Sequence, residues 1–101
     1  MTCTIDLPPA DLAILQHILR DHLPPRTSVW AFGSRVTGSA RRYSDLDVAL
    51  LGDSPLDWVL LARLKDALSE SDLTMKVDVV DLLAVDPPFR EIIKSQMVRL
   101  P

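Results

Sequence analysis

The sequence predicts a small α/β (α+β) layer fold, a sheet of at least three strands packed against amphipathic helices. Three observations carry this. The chain has 101 residues, enough for one hydrophobic core. Of these, 48% are hydrophobic and 25% charged, a balance that suits a globular domain and argues against disorder or a disulfide-rich scaffold. Finally, segments with helical spacing of apolar residues alternate with short β-forming runs. Such a chain folds to a radius of gyration of about 13 Å, which leaves little room for a deep cleft, so an enclosed site needs a partner to close it.

Pro8 and Pro9 open a first helix in which Leu12, Leu15, Ile18, Leu19 and Leu23 recur at helical spacing, and Pro24-Pro25 closes it. Residues 28–32 are apolar and β-forming and end at Gly33, a strand followed by a turn or short helix. From Asp45 to Leu51 the pattern alternates, with Leu46, Val48 and Leu50 on one face and Asp45, Asp47, Ala49 and Leu51 on the other. Ser54-Pro55-x-Asp57 has the pattern of an N-cap, a first-turn proline and a first-turn acid. Leu56, Leu60, Leu64 and Leu68 then mark one face of a helix of about four turns. Residues 76–83 form a third strand, with Asp78, Val80 and Leu82 on one face and Val77, Val79 and Asp81 on the other. Asp86-Pro87-Pro88 caps a final helix carrying Phe89, Ile92, Ile93 and Met97. No repeat, linker or low-complexity stretch interrupts residues 1–101, which read as one domain.

Fourteen acidic against eleven basic residues leave a net charge of −3, which argues against broad nucleic-acid binding; no direct contact with nucleic acid is expected. The lone Cys3 has no cysteine to pair with and no His or Asp beside it. With neither a basic-then-apolar leader nor an apolar run of about 18 residues, a cytoplasmic protein without membrane contact is expected. His17 and His22 lack metal-like partners and are assigned nothing, Trp30 and Phe32 read as sheet packing, and Tyr43 as loop packing. Asp81 reads as a strand-end or cap residue. Trp58 lies off the leucine stripe and, with Leu61, is read as an exposed patch for a partner, the alternative being a wider buried face.

The segment from Gly33 to Asp47 carries the chemistry. A strand ending in Gly33-Ser34 brings backbone N–H groups and a hydroxyl close to an anion, so phosphate is the natural ligand. The Gly33–Gly38 spacing mimics a P-loop, but Ser39-Ala40 follows in place of Lys and Ser or Thr, which excludes a Walker A motif. Asp45 and Asp47, two apart on a strand, point the same way and repel unless a divalent cation neutralises them. Leu50, five residues after Asp45, excludes an EF-hand, and Asp78 completes the set if its strand neighbours theirs. Three carboxylates plus substrate phosphates suit Mg²⁺.

Gly33-Ser34, Gly38, Ser44-Asp45-x-Asp47 and a following strand with Asp78 resemble the minimal nucleotidyltransferases of the DNA polymerase β-like superfamily, most closely the antitoxins of HEPN/MNT toxin–antitoxin pairs. The resemblance implies a nucleotidyltransferase-like small mixed sheet. It implies Mg²⁺, as two ions, at Asp45, Asp47 and Asp78, and ATP as substrate, with Gly33 and Ser34 holding its β and γ phosphates. Arg35 would offset triphosphate charge and Ser44 would join the nucleotide site, while Arg41 and Arg42 are weaker candidates. The implied reaction is attack of a hydroxyl on the α-phosphorus with release of pyrophosphate. The implied partner is a HEPN-type toxin in a hetero-oligomer, either nucleotidylated or masked by binding alone.

Overall fold

In a computed structural model that describes residues 5–38 and 45–101, the elements follow in the order α1 (Pro9–His22), β1 (Ser28–Phe32), α2 (Ser34–Thr37), β2 (Leu46–Leu51), α3 (Trp58–Ser69), β3 (Val77–Asp81), α4 (Pro87–Gln96) and β4 (Val98–Arg99). Pro9 opens α1 and Pro87-Pro88 open α4, first-turn positions where a missing N–H removes no helical hydrogen bond. Residues 33–38 take the short-helix option: one turn, entered at Gly33 and closed by Gly38 in the left-handed conformation at φ 86°.

The sheet is mixed, as the resemblance implies, with strand order β3-β2-β1-β4. β1 runs antiparallel to both β2 and β4, and β2 runs parallel to β3. Leu15 and Leu19 of α1 and Leu64 and Leu68 of α3 cover one face, against Ala31, Leu46, Val48, Leu50 and Val79. Ile93 of α4 covers the other face against Phe32, Ala49 and Leu82, with Trp30, Leu51 and Val80 packed around them. The alternation in β2 thus maps directly onto two helical layers. Trp30 and Phe32 pack in the sheet as expected: Trp30 Nε1 donates to Ser28 Oγ at 2.9 Å with the Arg99 guanidinium over its ring, and Phe32 meets Phe89 edge-on at 6.5 Å.

Three features depart from the sequence reading. Helix α3 begins at Trp58 after Asp57, not at the Ser54 cap, and is 12 residues long. The Leu56 N–H is drawn instead to Asp81 Oδ2 at 2.7 Å, which holds residues 54–56 against the end of the sheet. β3 stops at Asp81, whose Oδ1 accepts the Leu83 N–H at 3.0 Å and turns the chain, so Asp81 is the expected strand-end residue. A fourth strand, two residues long, pairs with Trp30 and Ala31; so short a run has no periodicity to read. The Trp58–Leu61 pair divides: Trp58 is 76% exposed, whereas Leu61 packs against the core. Among the described residues no helix is long and apolar enough to cross a membrane.

Candidate active site

Strand register assembles the site. Phe32, the last residue of β1, lies opposite Asp47, and Asp47 lies beside Asp78 on parallel β3. Because side chains alternate, Asp47 and Asp78 share the face that carries Ala49 and Val80. Gly33 then turns the chain at φ 83° and ψ −158°, a conformation open essentially to glycine alone. A Cβ built on Gly33 would fall 2.2 Å from Asp47 Oδ2, so the carboxylate occupies the space that the missing side chain leaves. Turn, second acid and third acid therefore form one row across three strands. Asp45 is exposed and immediately precedes β2.

Burial, reinforced by the charges of Asp78 and Asp45, pushes the Asp47 carboxyl above its ordinary value of 3.8. Asp47 therefore feels both of the other acids. Even so, among the described residues no group of three His, Cys, Asp or Glu side chains is gathered closely enough to hold a metal ion. Three carboxylates of this kind, all hard oxygen donors at one end of a sheet, fit Mg²⁺. The Lys76 Nζ at 3.7 Å from Asp78 Oδ1 is an exposed, screened partner and offsets little of that charge.

The remaining sequence candidates divide. Ser34 is half-buried and opens α2, so its amide has no acceptor inside the helix. Arg35 is not an exposed cation: it is 5% exposed, its Nη1 donates to the Asp6 carbonyl at 2.7 Å, and its own carbonyl accepts the Asp6 N–H at 2.8 Å. Its side chain is turned towards the segment ahead of α1 and ties that segment to α2. Arg35→Met is accordingly expected to lower stability by about 2 kcal/mol, the scale of a buried charge-assisted hydrogen bond, measured by chemical denaturation. Ser44, Arg41, Arg42 and Tyr43 lie outside the described residues.

One residue escaped the sequence reading. The Gly33 N–H donates to Gln96 Oε1, at the end of α4, across 2.8 Å. No spacing in the sequence links positions 33 and 96; only the β1–β4 pairing, itself unread, would have found it.

A family model described as polymerase beta, nucleotidyltransferase, matches residues 13–100. The chain is 48% identical over 94 residues to a probable protein adenylyltransferase MntA of Haemophilus influenzae, covering 93% of this chain and 82% of that protein. Among solved structures, a toxin–antitoxin with AMP-PNP is similar at a TM-score of 0.67 and 30% identity, over 89% of this chain and 72% of that one. A tri-AMPylated Shewanella oneidensis HEPN toxin in complex with MNT antitoxin is similar at a TM-score of 0.59 and 27% identity, over 91% and 70% of the two chains.

Proposed function

The chain belongs to the polymerase beta nucleotidyltransferase family, and on that premise we propose that it transfers AMP from ATP to a hydroxyl of a HEPN-type toxin and so acts as its antitoxin. The observation that carries this reading is the row formed by the Gly33 turn, Asp47 and Asp78 on adjacent strands. It supports a site where a phosphate-binding turn and an acidic metal-binding pair meet on adjacent strands.

Asp45, Asp47 and Asp78 are the residues that would hold Mg²⁺, two ions in the family pattern, which supplies charge stabilisation for the attacking and leaving oxygens. The rest belongs to the chain. Gly33 allows close approach of the turn to the triphosphate, and the Ser34 amide and hydroxyl donate to its β and γ oxygens. Ser44 is assigned to the nucleotide as well. Asp78 stands on β3, the edge strand, and is assigned by the family resemblance to the acceptor side of the metals. There the acceptor hydroxyl attacks the α-phosphorus, an ester bond forms, and pyrophosphate leaves. A chain of 101 residues offers little wall around that point, so the partner excludes water as it brings its hydroxyl in.

The family resemblance implies that the HEPN toxin is a ribonuclease, and AMP added beside its RNA-binding groove would block RNA sterically and by charge. Titration of the toxin with this protein is the test. With ATP and Mg²⁺, neutralisation is expected at well below equimolar protein, with AMP increments in the toxin's mass, and a chelator abolishes both. Neutralisation that needs equimolar protein and ignores ATP and chelator would establish masking by binding alone.

A further inference from the structure

We infer that Gln96 is a positioning residue for the nucleotide turn, its side-chain oxygen standing in for a missing strand as the acceptor of the Gly33 N–H. The inference rests on the nucleotidyl-transfer reading of this site and extends it to a residue outside the family motif. Its basis is the β1–β4 register. Trp30 lies opposite Arg99 and Ala31 opposite Val98, and the Leu100 N–H donates to the Val29 carbonyl at 2.9 Å. Antiparallel pairing keeps the sum of partner numbers constant, which places Gly33 opposite residue 96. On this edge the residues that exchange backbone hydrogen bonds are 29, 31 and then 33.

At that point the partner strand has run out. Gln96 is the last residue of α4, so its backbone is helical and offers Gly33 no ladder carbonyl. Its Oε1 takes that place at 2.8 Å. The Gly33 N–H therefore points towards β4, away from the β2 side where Asp47 lies, and is not a phosphate donor. Its role is to anchor the peptide plane that enters the turn. That plane sets the positive φ of Gly33, the approach to Asp47, and the direction in which the Ser34 amide opens α2. A turn fixed beforehand binds its anion without first losing conformational freedom.

Gln96→Met keeps the side-chain length and removes the acceptor; Gln96→Glu keeps an acceptor. Calorimetry with Mg·ATP at 1 M salt, where the Debye length of about 3 Å is shorter than a strand spacing, should show about fivefold weaker binding for Gln96→Met, the size of one neutral hydrogen bond. Gln96→Glu should stay within about twofold of the native protein on the same basis. In turnover, Gln96→Met should raise the KM for ATP about fivefold with kcat little changed, because the bond serves ground state and transition state alike. The Gly33 amide proton should move upfield in the Met variant and not in the Glu variant. Equal affinity for native protein and Gln96→Met overturns the inference, as does Gln96→Glu behaving like Gln96→Met, or a loss confined to thermal stability. Failure of the native protein to bind Mg·ATP would instead bring down the nucleotidyl-transfer reading itself.

Discussion

Asp47→Asn is expected to abolish AMP transfer, by about a thousandfold or more, while leaving the protein folded. Asp47 is the middle acid of the row, paired in register with Asp78, two residues from Asp45 and packed against Gly33, so no neighbour can take over its oxygens. The same substitution should help the metal-free fold. Burial and two like charges raise the Asp47 carboxyl above its ordinary 3.8. A group whose folded-state pKa is raised contributes stability below its unfolded value and loses it as pH rises through the folded one. At neutral pH in chelator, ionised Asp47 is therefore a liability that asparagine removes, and the variant should melt at or above the native protein. Lowering the pH below 3.8 protonates Asp47 in both states and should close that gap. Excess Mg²⁺ should reverse the order, because it binds the native fold and not the variant. Thermal unfolding with and without chelator checks each step; an Asp47→Asn protein that fails to fold would make these acids structural.

How much of this was legible beforehand depends on the range over which each signal acts. Alternation within residues 45–51 is local, and it put Asp47 opposite Leu46 and Val48, as β2 carries it; the same rule put Asp78 on the matching face of its strand. The side-by-side placement of Asp47 and Asp78 follows only once the two strands are known to be neighbours. The start of α3 was misread because Ser54-Pro55 has cap chemistry, whereas Asp81, 25 positions away from Leu56, decides where the chain goes. Arg35 likewise has a contact that no local pattern shows. Beside a phosphate turn an arginine suggests anion binding, but this one reaches back 29 residues to Asp6. Gln96 carries no local mark at all. Its contact depends on a two-residue strand, which tertiary packing creates and propensity does not.

Gly33→Val should cost nucleotide affinity about a hundredfold or more, a larger loss than its effect on folding accounts for. Two independent penalties meet at this position. The backbone holds φ 83° and ψ −158°, which costs a side-chain-bearing residue about 1–3 kcal/mol. A Cβ would also lie 2.2 Å from Asp47 Oδ2, so either the turn retreats or the carboxylate swings away, and each outcome separates phosphate donors from the acids that serve the same substrate. Gly38 provides the control. It shares the positive φ, at 86°, but a Cβ there would meet nothing within 4 Å among the described residues. Gly38→Ala should therefore cost about 1 kcal/mol of stability and leave affinity per folded molecule intact. A double-mutant cycle separates the two penalties at Gly33. In an Asp47→Ala background the clash is gone and only strain remains, so Gly33→Ala should destabilise that background less than it does the native protein. Identical costs in both backgrounds, or native ATP affinity in folded Gly33→Val, would show that the turn and Asp47 are merely adjacent, and that the phosphate site must be sought elsewhere on the sheet.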